Sequence, residues 1–324
     1  MLAGDLTPVV TAALESQTGC STATVQDPGN CTITPVINPF TGANYSNYTI
    51  PTAVNSVAAA VLVYYPLPNV QGPNYYPLPS VAGPGYNYQT LVPIPSNSDG
   101  ADVRIDQVLT AKQQVYGRFS WKQVNLQEFN DDTVISPANF FLPNDTASEQ
   151  NLSLLISYNY TFSPKLLNEF CFGLTHFNEN ETFPMEGATA ISQLGLVLNN
   201  GINLAAHPTG QAFPTFNFSD GTIQGIGQGR VGTTISGNTQ FTDNLTRIMG
   251  RHTLRFGVDV RRELYNAPMF YAPSDEYGDF TFNGSLTNYS FGDFYLGLPQ
   301  TFFAITSPQI NAYSWHWGIY GQDE

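Results

Sequence analysis

The residues with most chemistry to offer are scarce in this 324-residue chain. Its four histidines, His176, His207, His252 and His316, stand far apart with no metal-ligand spacing, so each reads as a structural or surface side chain. Of its three cysteines, Cys20 and Cys31 lie close enough in a polar stretch to form one disulfide in an oxidising compartment, leaving Cys171 alone. Gly227-Gln228-Gly229-Arg230-Val231-Gly232 fits GxGxxG, yet no strand precedes it and no helix pattern follows, so it reads as surface loop rather than a phosphate cradle. The carboxylate pairs Asp131-Asp132 and Asp275-Glu276 sit in loop texture and read as solvated acid clusters. The Asn-x-Ser/Thr triplets, as at Asn44, Asn47 and Asn151, arise by chance in a chain so rich in those residues. No catalytic residue, cofactor site or metal site emerges, and the expectation is a protein that is not an enzyme.

What remains is a set of charges spaced at a period of two: Asp102, Arg104, Asp106, Arg118, Lys122, Glu169, Arg255, Asp259, Arg261 and Glu263. Strands position such residues, because successive side chains leave opposite faces. Val103, Ile105 and Leu109 alternate with the first acidic group, and Val115, Phe119 and Trp121 alternate with Tyr116, Arg118, Ser120 and Lys122. Pairing Leu109 with Val115 sets Asp106 opposite Arg118 and Asp102 opposite Lys122. Farther on, Leu152, Leu154, Ile156, Tyr158 and Tyr160 form one face, and a turn at Ser163-Pro164-Lys165 places Tyr158 beside Phe170 and Ile156 beside Phe172. Gly250-Arg251 suits a two-residue hairpin with glycine first, a type II′ turn that sets Phe241 beside Val260 and Leu245 beside Phe256. Asp243 is the misfit on that apolar face.

Composition supports a β-rich chain. Net charge is −14, only 11% of residues are charged, 13% are aromatic, and the 28 Gly and 23 Pro exclude a helical bundle. With so few Lys and Arg, nucleic acid is excluded as a partner. A hydrophobic share of 42% argues against wholesale disorder. The longest apolar run, Val57 to Tyr65, is about half the roughly 18 residues of a membrane helix. Three classes stay open at this point: a secreted β-sandwich, an adhesive surface protein, or a transmembrane β-barrel whose hydrophobicity is hidden in alternation. The N-terminus shows no basic region followed by an apolar one, so no signal peptide is read, which leaves a cytoplasmic protein or a fragment.

The connections decide between these classes. Residues 1–99, rich in Pro, Gly, Asn and Tyr, read as long irregular loop with at most one short helix near Val54 to Tyr65. From residue 100 to 324 strands are expected near 101–109, 114–124, 150–162, 166–177, 239–248, 252–265, 278–283 and 311–322. Tyr313, Trp315, Trp317 and Ile319 share a face of the last. Short turns alternate with long loops, as in an outer-membrane barrel with short periplasmic turns and long external loops, and a soluble sheet with one wet face has no reason to sort them so. The fold class is therefore all-β: a partial transmembrane antiparallel barrel, a meander of about eight strands with long extracellular loops. On that reading the period-two charges line the lumen, as a polar wall or, less simply, as ligand contacts. The loop aromatics Tyr75-Tyr76 and Phe140-Phe141 either grip ligand or pack the loops together.

Several segments resemble, in order, the TonB-dependent outer-membrane receptors of the Oar-like, acidobacterial type. They are Ala3-Gly4-Asp5, Tyr64 through Asn69, Arg104-Ile105-Asp106, Gly117 through Ser120, Gly250 through Gly257, Phe280 through Gly284, Asp293 through Pro299, and Trp317 through Asp323. The resemblance implies a 22-stranded barrel with an N-terminal plug, energised by the TonB complex, located in the outer membrane of a Gram-negative cell and importing a bulky nutrient. It also implies an internal fragment, since plug, TonB box and first strands have no counterpart here. Outer-membrane lipid, TonB through the plug and an unknown bulky ligand are the expected partners. The alternatives are a surface binding or adhesion barrel without transport and a secreted β-sandwich that binds or acts on glycans.

Overall fold

The computed structural model describes residues 3–20, 22–67, 69–70, 88–89, 91, 95–128, 145–182, 193–196, 213–221, 223–227, 232–268, 278–304 and 309–324. His207, Asp131-Asp132, Asp275-Glu276, Tyr75-Tyr76, Phe140-Phe141 and the middle of the glycine motif lie outside them.

Alternating sequence becomes long strand. β1 (Ser96–Thr110), β2 (Gln113–Glu128), β3 (Asp145–Ser163) and β4 (Leu166–Thr182) pair in succession. After β5 (Thr215–Phe218), which lies elsewhere, β6 (Gly232–Met249) and β7 (His252–Pro268) continue the meander. β8 (Asp279–Phe282) and β9 (Thr301–Phe303) again leave it, and β10 (Gln309–Asp323) closes the order β1-β2-β3-β4-β6-β7-β10 in a 7-stranded antiparallel sheet. Three turns at one rim, Ala111-Lys112, Pro164-Lys165 and Gly250-Arg251, each need only two residues. Gly250 has φ +64°, the positive value that the first central position of a II′ turn demands. The opposite rim carries the long connections.

Two registers agree with the sequence reading. Tyr158 pairs with Phe170 and Ile156 with Phe172; Phe241 pairs with Val260 and Leu245 with Phe256. The first hairpin does not. Asp102 lies opposite Ser120 and Asp106 opposite Tyr116, a shift of two residues from the expected pairing. The reason is local: the chain turns in two residues and takes up Leu109 in a bulge between Val108 and Thr110, whereas the sequence reading spent four residues on the turn.

The expected strand at 278–283 is also corrected. β8 has 4 residues, too few to cross a bilayer, and pairs in parallel with β5 and antiparallel with β9 in a separate 3-stranded sheet. Its Phe280 and Phe282 are buried in a core rather than turned toward lipid. Among the described residues the meander accordingly has seven strands, against the about eight expected.

That core belongs to a small folded body made from the segments leading into β1, linking β4 to β6, and linking β7 to β10. Helix α1 (Thr7–Glu15) carries Pro in its first turn, Thr7 N–H donates to Asp5 Oδ1 at 2.9 Å, and its Val9, Val10 and Leu14 are buried. Helix α2 (Ser56–Leu62) is capped by Asn55, whose Oδ1 accepts from Val57 N–H at 2.9 Å. Helix α3 (Ser290–Leu296) is capped from a different segment: Asp220 accepts from Ser290 N–H at 2.7 Å and from its hydroxyl at 2.5 Å. Phe218, Phe282 and Phe294, one from each of β5, β8 and α3, meet with ring centroids 5.2–5.8 Å apart. Among the described residues up to Leu67 there are therefore two helices and part of a hydrophobic core: α2 is the short helix expected near Val54 to Tyr65, whereas α1 lies where only loop is expected, its 9 residues being too short for a clear helical period. Cys20 and Cys31 are joined by a disulfide, and Cys171 is free.

Candidate functional site

Register carries the face assignment from strand to strand. Arg104 lies opposite Arg118, Arg118 opposite Leu155, Leu155 opposite Gly173, Gly173 opposite Gln240 and Gln240 opposite Arg261, so these positions share one face. By alternation, Asp102, Asp106, Lys122, Glu169, Arg255, Asp259 and Glu263 lie on that face too. It is the concave one: all seven strands contribute to the border of a single hollow of about 940 Å³. Asp102, Arg118, Lys122 and Glu263 border the hollow, whereas Arg104, Asp106, Glu169, Arg255, Asp259 and Arg261 do not.

The charges are largely paired. Arg104 grips Asp106 through two hydrogen bonds of 2.8 Å along its own strand, with the guanidinium 4.6 Å from the centre of the Tyr116 ring. Arg118 reaches Asp102 diagonally at 3.2 Å, and Ser120 Oγ donates to the same carboxylate oxygen. Gln240 donates to Asp259. Glu263 gathers Arg261 Nε at 3.3 Å, His316 Nε2 at 3.2 Å and Ser314 Oγ at 3.5 Å. Among the described residues Lys122 and Glu169 have no charged partner. Each pair is half-exposed and individually weak, so the wall is a polar lining rather than a source of stability.

Sequence reasoning missed the cluster at Glu263, having set His316 aside with the other histidines. The signal was there: Ser314 and His316 alternate with Tyr313, Trp315 and Trp317, which fixes them on the polar face. Asp243, the misfit on the apolar face, is met there by Asn168 Nδ2 at 2.5 Å. No group of three or more His, Cys, Asp or Glu side chains among the described residues is placed to hold a metal, and no described helix is long and apolar enough to cross a membrane.

The convex face is the chemical opposite, with Val103, Ile105, Phe119, Phe241, Phe256, Trp315, Trp317 and Ile319 exposed on it. An antiparallel meander with a wet concave wall and an apolar convex wall is the architecture of an outer-membrane β-barrel. The sequence matches the family described as "Outer membrane beta barrel domain" over residues 1–324, and the chain belongs to that family. Its location is the outer membrane. The structure is similar to that of the outer-membrane transporter YddB from Escherichia coli, with a TM-score of 0.43 and 9% identity. That likeness covers 71% of this chain and 25% of the transporter, so the chain spans about a quarter of the transporter's length. No curated protein matches the sequence.

Proposed function

We propose that this chain forms the loop-bearing part of a TonB-dependent outer-membrane receptor of the Oar-like type, which takes up a bulky nutrient and performs no catalysis of its own. The observation that carries the reading is the division of labour between the rims. One rim has two-residue turns; the other sends out the segments that assemble one aromatic-cored body. In barrels of this family the short turns face the periplasm and the long connections face outward. A folded external body gives a large ligand a preformed surface, and a polar concave wall gives it a solvated path.

The edges of the sheet support a larger barrel. In an antiparallel meander of seven strands, β1 and β10 run in the same direction, so an all-antiparallel barrel closes only if an odd number of further strands stands between them. Lipid does not tolerate their open edges. A plug inside the completed barrel, coupled to TonB, supplies the gate.

The test uses cells lacking the protein, supplied with fractionated nutrients too large for general diffusion pores. The expected result is a growth defect confined to the large fractions and reproduced when TonB coupling is disabled. Intact uptake with lost surface attachment would instead assign the barrel to adhesion.

A further inference from the structure

The chain has only 11 Lys and Arg residues against 25 Asp and Glu. Their placement is uneven. Lys112, Lys165 and Arg251 occupy the three short turns, and Arg247 stands on the convex face beside the second of them, opposite Leu166. All four side chains are exposed. The turns are neighbours in a row: Lys112 O accepts from Thr161 N–H at 2.8 Å, Lys112 Nζ donates to Phe162 O at 3.3 Å, and Lys165 O accepts from Ile248 N–H at 2.9 Å. Of the acids at this end, Asp323 is held by His252 at 2.9 Å and Glu324 by Arg255 at 3.6 Å, Asp243 is met by Asn168, and Glu169 lies on the concave face. Lys112, Lys165, Arg247 and Arg251 have no carboxylate partner among the described residues. A chain of net charge −14 thus presents a basic edge at one end.

The same end carries an aromatic ladder on its convex face. Tyr158, Tyr160 and Phe162 follow one another along β3 toward the turn as tilted rings, with centroids 6.3 and 3.9 Å apart. Amphipathic rings at a strand end mark the level of the lipid headgroups. Cations one step beyond such a ladder stand at phosphate depth, where their apolar stems run along the hydrocarbon boundary and their heads reach the anion.

We propose that this turn rim is a binding surface for anionic phospholipid headgroups of the periplasmic-facing leaflet. The lipid phosphate supplies the charge that the four cations lack within the protein, and the ladder packs against the upper acyl chain. The surface acts independently of transport; it rests on the membrane location of the sheet and on the orientation proposed above, with the short turns toward the periplasm.

The full-length protein is extracted from outer membranes and placed in nanodiscs of phosphatidylethanolamine with a minor share of phosphatidylglycerol, and the lipids it retains are counted by native mass spectrometry. Wild type is expected to retain phosphatidylglycerol about fivefold above its share of the bilayer. The combined variant K112Q, K165Q, R247Q and R251Q is expected to lose that enrichment, and the charge-preserving variant K112R, K165R, R247K and R251K to keep it. Resistance to detergent unfolding verifies that each variant is folded. No enrichment in wild type, equal enrichment in the glutamine variant, or loss of a co-purifying acidic protein without any change in lipid would each overturn the proposal.

Discussion

Tyr320 lays its ring across Gly257, the residue directly opposite on β7, and its hydroxyl donates to Asn244 Oδ1 on β6 at 3.0 Å. Asn244 is itself the partner of Gly257, so one line across the concave face fastens three strands. A Cβ at position 257 would run into the Tyr320 ring and the Asn244 side chain. Gly257→Ala should therefore displace the ring, break the hydrogen bond and cost roughly 1–3 kcal/mol through overpacking. Tyr320→Phe keeps the ring in place and should cost about 1 kcal/mol or less. Urea unfolding of the full-length protein in detergent, followed by tryptophan fluorescence, measures both; a Gly257→Ala protein as stable as wild type would show that the ring is not held there.

The same glycine shows what was readable in the sequence. Gly257 ends the stretch Gly250 through Gly257 that carries part of the family resemblance, but the alternating pattern gives it no reason to be glycine; only the residues opposite it on the two flanking strands, Asn244 and Tyr320, do. Periodicity located the sheet, its polar face and two of its hairpins because the period of two is local and β-branched and aromatic residues fill it. The register of β1 on β2 depended on a bulge at Leu109, which no local pattern signals. Residues 280–284 and 293–299 illustrate the opposite difficulty. Their motifs are conspicuous, yet their role is set by packing against distant segments, as when Phe282 meets Phe218 with ring centroids 5.8 Å apart and Tyr295 Oη donates to Thr52 O at 3.2 Å.

Cross-linking separates the observed register of the first hairpin from the one alternation suggested. Residues directly opposite have Cβ atoms about 4.5–5.5 Å apart, against about 7–8 Å for the diagonal. Cysteines at 102 and 120 should cross-link rapidly under mild oxidation, and cysteines at 102 and 122 slowly. Faster bridging of the second pair would restore the pairing of Asp102 with Lys122.

The Cys20–Cys31 bridge closes a short loop beside α1, with Cys20, Ala23 and Leu14 buried together. Replacing both cysteines by serine should destabilise the small folded body by roughly 2–3 kcal/mol through the added freedom of its unfolded chain. The seven-stranded sheet makes no use of the bridge and should keep its resistance to unfolding. Limited proteolysis reads the difference: cleavage within residues 1–67 should accelerate while the strands stay protected. Equal acceleration in both parts would mean that body and sheet unfold as one unit.

Asp293 offers a pH-dependent test of the same body. Its side chain is fully buried, accepting from Thr287 N–H at 2.8 Å and Thr287 Oγ at 2.7 Å, and burial holds its pKa above the ordinary 3.8 against the opposing pull of those hydrogen bonds. A carboxyl whose pKa is raised on folding binds its proton more tightly in the native state. Its contribution is thus complete below the ordinary pKa and is lost as pH rises through the raised one. Asp293→Asn retains an oxygen that accepts from Thr287 but removes the titration. Relative to that variant, wild type should gain stability on acidification from neutral pH into the range just above 3.8. Hydrogen exchange of the α3 amides, corrected for the intrinsic effect of pH, measures the difference locally. If wild type instead loses protection relative to Asp293→Asn as pH falls, the Thr287 hydrogen bonds outweigh burial and the native body favours the ionised carboxylate.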